Sequence, residues 1–351
     1  TLKEILKKGG KVAVLSHFGR PKGQVVPEAS LKPVAEPLSR ALGRPVHFSE
    51  DCVGSTAKSA VEKHDVVLLE NARFHKGEEA NGEAFAAKLA ELADLYVNDA
   101  FSVSHRAHAS VEAIARLLPS AAGLAMQAEI EALEKALSSP DRPVAAIVGG
   151  AKVSTKLGVL EALCEKVDYL IIGGGMANTF LFAKGTDIGA SICEKDLKDQ
   201  ALATLKKAKD SGCKIVLPID AVLAPELAVN VPMRESTVDD VEKDEMILDI
   251  GDASVEELKH VLRQCKTLVW NGPLGAFEVK PFDAGTNAVA REAASLTRAG
   301  KMLSIAGGGD TVSALKNAGV IDQFSYVSTA GGAFLEWMEG RTLPGVAVLQ
   351  A

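Results

Sequence analysis

No apolar run in this 351-residue chain approaches the roughly 20 residues needed to span a bilayer. The longest, such as residues 303–309, are strand-sized and stop at glycine. Cysteine is scarce: Cys52, Cys164, Cys193, Cys213 and Cys265 are odd in number and widely spaced, with no C-x-x-C. That argues against a disulfide framework and a cysteine metal cluster, and it fits a reducing compartment. An excess of positive charge is also absent. The net charge of −7 argues against a general nucleic-acid binder, which needs a basic face. No Ser-His-Asp order, zinc spacing or isolated carboxylate pair points to a covalent or hydrolytic site.

What charge there is has an uneven distribution. Residues 1–125 carry 16 Lys/Arg against 15 Asp/Glu, and the remainder 23 against 31. Six of the seven histidines fall within the first 108 residues, so the first part is the better host for an anionic small molecule. The chain opens on Thr1 within "TLKEILKKGG", an amphipathic helical pattern without an initiator Met. Residues are therefore expected upstream, and a targeting segment there would not be visible.

The length suits two domains. Short apolar runs alternate with helical patterns: "KVAVLS", "DVVLLE" and "DLYVND" in the first part, then "PVAAIVGG", "DYLIIGGG", "KIVLP", "TLVWNGP", "KMLSIAGGG" and "FSYVST". This alternation predicts an α/β fold with parallel sheets covered by helices. Across 121–143 the rhythm breaks into a long helical pattern with no strand before Pro140 and Pro143, read as a helix crossing between domains. Ligands in such folds sit at the carboxyl ends of the strands, which selects the loops that follow them.

Four loops of the second part are glycine-rich. "IVGGAKVSTKLGVL" (147–160) reads as strand, glycine turn, helix, without G-x-x-x-x-G-K-[ST] or G-x-G-x-x-G. Lys152 and Lys156, four apart, are expected on one helix face, aimed at an anion near Gly150 and the helix N-terminus. "IIGGGMANTF" (171–180), with Gly174 at its centre, suits either a flat ring such as adenine on bare backbone or a tight turn. "LVWNGPLGAFE" places Asn271 and Pro273 after a strand, with Asn271 and Glu278 able to hydrogen-bond ribose hydroxyls. In "SIAGGGDTVSAL" (304–315), backbone N–H groups around Gly308, Gly309 and Asp310 form a nest for a phosphoryl group. Asp310 is either an N-cap or a Mg²⁺ ligand. Four such loops at successive strand ends point to a nucleotide site.

The first part offers "SHFGRPKG" with His17 and Arg20, "ENARFHKGEE" with Arg73, and "NDAFSVSHRAHAS" with His105, Arg106 and His108. Arginine forks suit carboxylate and phosphate oxygens, so these loops suggest a small ligand with more than one negative charge. An anion site on one domain and a nucleotide site on another is the layout of phosphoryl transfer, which depends on positioning and charge neutralisation. Two sites on separate domains call for hinge closure.

With those residues assembled, the chain resembles the phosphoglycerate kinase family over its whole length. "SHFGRP", "LLENARF", "NDAFSVSHRAHAS", "VGGAKVSTK", "IIGGGMANTF", "LVWNGPLGAFE", "IAGGGDT" and "STAGGAFLE" occur in that family's order and approximate spacing. The resemblance implies two Rossmann-like domains joined by a long helix and hinge. It implies a phosphoglycerate-binding domain over 1–125, an interdomain helix over 126–139 and a nucleotide-binding domain over 140–337, with 338–351 packing back on the first. It further implies a cytoplasmic monomer that reversibly transfers a phosphoryl group between 1,3-bisphosphoglycerate and ADP, with Mg²⁺ accompanying ATP/ADP. Matched motif by motif, His17, Phe18, Gly19, Arg20, Arg73 and Arg106 would bind 3-phosphoglycerate. Gly150, Gly174, Asn271, Pro273, Glu278, Asp310 and Thr311 would bind nucleotide, with Glu278 on the ribose and Asp310 on the metal. Lys152, Lys156, Gly308 and Gly309 would contact both the nucleotide phosphates and the transferring group.

Two departures stand out. The family's R-x-D-x-N-V-P segment and the arginine after it are not among these residues, so the Asp, Asn and Arg ligands to phosphoglycerate that the resemblance implies are expected upstream of Thr1. Ala330 also stands where the family has glycine, and its methyl group raises the question of a restricted positive φ. A non-catalytic nucleotide-binding fragment and a dinucleotide oxidoreductase are the rival readings; turnover with ATP and 3-phosphoglycerate, or NADH binding, separates them.

Overall fold

Each apolar run expected to be a strand forms one. The computed structural model describes residues 1–350; Ala351, the last residue of the expected C-terminal segment, lies outside the described residues. The chain divides into one unit of Thr1–Glu129 with the segment from Thr342, and a second of Ile130–Arg341.

In the first unit, β1 (Val12–Val14), β2 (His47–Ser49) and β3 (Val66–Leu69) form a parallel sheet of order β1-β3-β2. Strands β4 (Tyr96–Asn98) and β5 (Ser120–Ala122) form a second parallel pair. Strand β5 overlaps the start of the stretch expected to be helical throughout. The helix begins only at Leu124 and runs to Leu137, after Gly123 has donated its N–H to the Asn98 carbonyl. From the C-terminal segment, Gly345 N–H donates to Ser104 O at 2.9 Å.

The second unit contains β6 (Val144–Val148), β7 (Tyr169–Ile172) and β8 (Lys214–Val216). Three antiparallel strands follow, β9 (Asp220–Ala224), β10 (Arg234–Thr237) and β11 (Met246–Ile250), in the order β10-β9-β11. This sheet departs from the all-parallel expectation. Strands β12 (Thr267–Asn271), β13 (Leu303–Gly307) and β14 (Tyr326–Ser328) complete a six-stranded parallel sheet ordered β14-β13-β12-β6-β7-β8. Every residue of β6 and β12 is buried, because helices cover both faces of such a sheet. The sheet winds outward from β6 through β7 and β8, then restarts at β12 on the other side of β6. The crevice of a doubly wound sheet lies where that order reverses, at the carboxyl ends of β6 and β12.

No helix is long and apolar enough to cross a membrane among the described residues.

Candidate functional site

At the reversal point the two strand ends are pressed together. Gly149 N–H donates to Asn271 O at 2.9 Å, and Trp270 Nε1 donates to Gly272 O at 2.7 Å. A Cβ on Gly149 would land well inside contact distance of the Pro273 carbonyl oxygen, and one on Gly272 would meet the Gly149 carbonyl. Gly272 also has φ +105°, a region costly for any residue with a Cβ. Backbone cannot yield as a side chain can. Gly149→Ala is therefore expected to cost about 3 kcal/mol or more, read as a lowered urea midpoint; an unchanged midpoint would contradict this packing.

Lys156 closes this junction. Its Nζ donates to Gly149 O at 2.6 Å and Asn271 O at 3.2 Å, bridging the ends of β6 and β12. Burial brings its ammonium down to about 8, with Asp310 opposing the shift. The expected shared helix face with Lys152 is not formed. Residues Val153–Thr155 make a 3₁₀ turn and the α-helix starts at Leu157, so exposed Lys152 precedes the turn while Lys156 folds back onto the strand ends. Glu194, forty residues on, holds that turn by accepting from Ser154 N at 2.9 Å and Ser154 Oγ at 2.5 Å.

The glycines of "SIAGGGDTVSAL" have three separate jobs. Gly307 ends β13 against the Phe334 ring, where a Cβ would sit 2.7 Å from Cγ. Gly308 is the N-cap of the helix Gly309–Asn317, with φ +98°, and a Cβ there would lie 2.6 Å from Asn271 Nδ2. Gly309 has open space beside it. The N-cap reading of Asp310 is thus corrected: Gly308 caps, and Asp310 is exposed in the first turn. The first N–H groups of a helix have no partners within it, so this end offers donors beside a carboxylate.

Thr311 is buried, and its hydroxyl accepts from Gly272 N at 2.7 Å. Asn271 donates Nδ2 to Gly307 O at 2.7 Å, while its buried Oδ1 has no partner among the described residues. Pro273 is buried and Glu278 exposed. The glycines of 173–175 pack closely in the direction a side chain would take. Gly173 faces Leu274, Gly174 abuts Gly150 and donates to Leu274 O, and Gly175 faces Ile192 and Ala151. Ala330 has φ −96°, so its methyl group meets no positive-φ requirement.

In the first unit, loops at the strand ends gather cations. Glu70 accepts from Leu31 N and Asn71 N, each at 2.8 Å, and from Ser30 Oγ at 2.6 Å. Asn71 Nδ2 donates to Phe18 O at 2.7 Å and Ala29 O at 2.8 Å, and Arg73 Nη1 donates to Gly19 O at 2.8 Å. These contacts lash the His17–Arg20 loop to the end of β3. The Phe18 ring is left exposed, as are Gly19 and Arg20.

Arg73 itself is buried. Its Nε lies 3.5 Å from Glu79 Oε1 but has no hydrogen bond among the described residues. Burial pulls His17 down to about 4, and Arg73, His108 and Arg106 add to the shift. Burial, then the charges of Arg73 and Arg106, also lowers His108. Burial lowers Arg73, and Arg106 and Arg20 push the same way. Residues from all three basic loops thus disfavour one another's protons. A buried donor without a partner and crowded like charges together describe a site shaped for an anion.

Glu70, Asn71 and Glu194 were not singled out in the sequence. The first two stood within "LLENARF", beside the arginine that drew notice, and nothing local marks Glu194.

A doubly wound sheet with a lysine and a helix N-terminus at its reversal point, and basic loops gathered at the strand ends of the other unit, form a layout that suits a small-molecule phosphotransferase. The phosphoglycerate kinase family model matches residues 1–341. The chain is 60% identical to a phosphoglycerate kinase of Rhizorhabdus wittichii and 59% to one of Zymomonas mobilis, covering all of this chain and 89% of each relative. The solved phosphoglycerate kinase of Coxiella burnetii is 41% identical with a TM-score of 0.92, over 99% of this chain and 88% of that one. The corresponding structure from Pyrococcus horikoshii is 30% identical with a TM-score of 0.80. The chain belongs to the phosphoglycerate kinase family, and its reaction is the glycolytic transfer of a phosphoryl group between phosphoglycerate and the ATP/ADP pair.

Proposed function

We propose that residues 1–125 bind the phosphoglycerate and residues 140–337 the nucleotide, with 126–139 as the interdomain helix and 338–351 returning to the first domain. The observation that carries this is Lys156, whose ammonium bridges the strand ends at the reversal point and feels the Asp310 carboxylate. In this reading Lys152 and Lys156 meet the nucleotide phosphates and the transferring group. Backbone N–H groups of Gly308–Thr311 cradle phosphate oxygens, and Gly150, Gly174 and Pro273 shape the crevice. Asn271 and Glu278 face the sugar. Arg73 and Arg106, with His17, Phe18, Gly19 and Arg20, hold the carboxylate and phosphate of phosphoglycerate.

An exposed carboxylate beside free helix-end donors and an ammonium fits Mg²⁺ arriving with polyphosphate, and Asp310 would hold it. The bound ion would neutralise charge on the phosphate oxygens. Hinge closure belongs to the same reading, since reacting atoms must come within about 3–3.5 Å. So do a monomeric state, a cytoplasmic setting and no nucleic-acid or membrane partner.

Steady-state turnover of MgATP with 3-phosphoglycerate tests the assignment of Asp310. Asp310→Asn is expected to raise the Mg²⁺ concentration for half-maximal rate about tenfold or more, with the KM for 3-phosphoglycerate unchanged. A Mg²⁺ dependence like the parent's would remove Asp310 from the metal.

A further inference from the structure

Strands β2 and β3 are parallel neighbours, paired from His47↔Val67 to Ser49↔Leu69, so the loops that leave their carboxyl ends emerge side by side. One carries Asp51 and Cys52 just before the helix Gly54–Lys63. The other carries His75, directly after the Arg73 turn. Although 24 residues separate them in the chain, His75 Nε2 lies 2.8 Å from Asp51 Oδ1. A carboxylate oxygen of Asp51, the Cys52 sulfur and a ring nitrogen of His75 all lie within 4.8 Å of one another.

We propose that Asp51, Cys52 and His75 form a binding site for a borderline-soft divalent transition metal of the Zn²⁺ class, distinct from the nucleotide's magnesium. The donor set is one thiolate, one imidazole and one carboxylate. That combination suits Zn²⁺ and its neighbours and is a poor match for Mg²⁺, which prefers oxygen. Metal–ligand bonds of about 2.0–2.3 Å in a tetrahedron separate ligand atoms by about 3.3–3.7 Å. At 2.8 Å the Asp51–His75 contact is tighter than that range and needs to open by about half an ångström.

The surroundings suit such a site. Cys52 is fully buried within the apolar cluster of Ala57, Leu69, Phe85 and Ala86, which fixes the sulfur. The His75 ring stacks on Phe85 with centroids 4.9 Å apart, which fixes the ring plane. The Asp51 and His75 side chains are 43% and 32% exposed, leaving an approach for the ion. On coordination the sulfur exchanges its proton for the metal, and that proton passes to buffer.

Co²⁺ is the probe, added to the reduced, nucleotide-free full chain. One Co²⁺ per chain is expected, with a thiolate-to-cobalt charge-transfer band in the near ultraviolet that Zn²⁺ abolishes by displacement. Cys52→Ala should remove the band, and His75→Gln should weaken Co²⁺ binding about tenfold or more, its band appearing only at correspondingly higher Co²⁺. Asp51→Asn should weaken binding similarly, and Cys193→Ala should leave the band intact. Should Cys52→Ala fail to fold, His75→Gln, altered at a partly exposed position, carries the test through its weaker Co²⁺ binding and a Zn²⁺-dependent rise in Tm smaller than the parent's. Absence of the band in the parent protein at millimolar Co²⁺, its survival in Cys52→Ala, or an unchanged Co²⁺ affinity in His75→Gln overturns the proposal.

Discussion

Replacing Lys156 with methionine is expected to lower kcat by about 10²–10³-fold while the KM for ATP changes much less. The substitution keeps most of the side-chain volume and removes the charge, so packing and electrostatics are separated. A preorganised cation facing the charge that develops during transfer contributes on this scale when it is removed. The ammonium of Lys156 is preorganised by the Gly149 and Asn271 carbonyls, and it is short of full counter-charge, since burial brings it down to about 8 with Asp310 alone opposing. On the proposed assignment, a phosphoryl group arriving there would supply the missing negative charge.

The same shift fixes a pH dependence with two opposite signs. In the free enzyme kcat/KM reports the unliganded lysine, so it falls as pH rises through about 8. Stability moves the other way. The unfolded chain holds this proton up to the ordinary lysine value of 10.5, the folded one only to about 8. Between those values the unfolded state binds more protons, so stability rises with pH. The cost of burying the charge is present in full below that window and is relieved across it. Lys156→Met should abolish both trends. Retention of the alkaline fall in kcat/KM, or a kcat within threefold of the parent, would take the transferring phosphate away from Lys156.

What could be read from residues alone divides along physical lines. Central parallel strands are apolar on both faces, so β3, β6 and β12 stood out from their composition. Strand β2 is three residues with an exposed His47, and β10 reads "REST" with alternating exposure; neither carries such a signal. Residue types for the candidate site were also legible, because anions call for arginine and lysine and close backbone approach calls for glycine. Their placement was not. Lys156 turns back because a 3₁₀ turn precedes its helix, and Glu194 holds that turn from forty residues away. The proximity of Asp51, Cys52 and His75 depends on the β2–β3 register, which no local pattern encodes.

The second large effect is expected at Arg73. Arg73→Ala should raise the KM for 3-phosphoglycerate by about 10²–10³-fold and leave the KM for ATP nearly unchanged. Arg106→Ala should act in the same direction but less, since Arg106 is only half-buried. Two consequences of the Arg73 change add together. A buried charge that would pair with the ligand is lost, and removing one member of such a pair costs about 2–5 kcal/mol. The Gly19 carbonyl also loses its donor, which loosens the loop that carries His17 and Arg20. Arg73→Lys is not expected to rescue, because a single ammonium cannot reproduce a fork that reaches Gly19 O with one nitrogen and lies 3.5 Å from Glu79 with another. A readout independent of turnover exists in His17. Burial is the largest cause of its fall to about 4, and Arg73 is the largest of the charges that add to it. In Arg73→Ala the His17 ring should therefore titrate closer to 6.5, measurable from its imidazole proton resonances. An unmoved His17 titration would show that the two groups do not share a site. A KM for ATP that rises more than that for 3-phosphoglycerate would reverse the assignment of substrates to the two units.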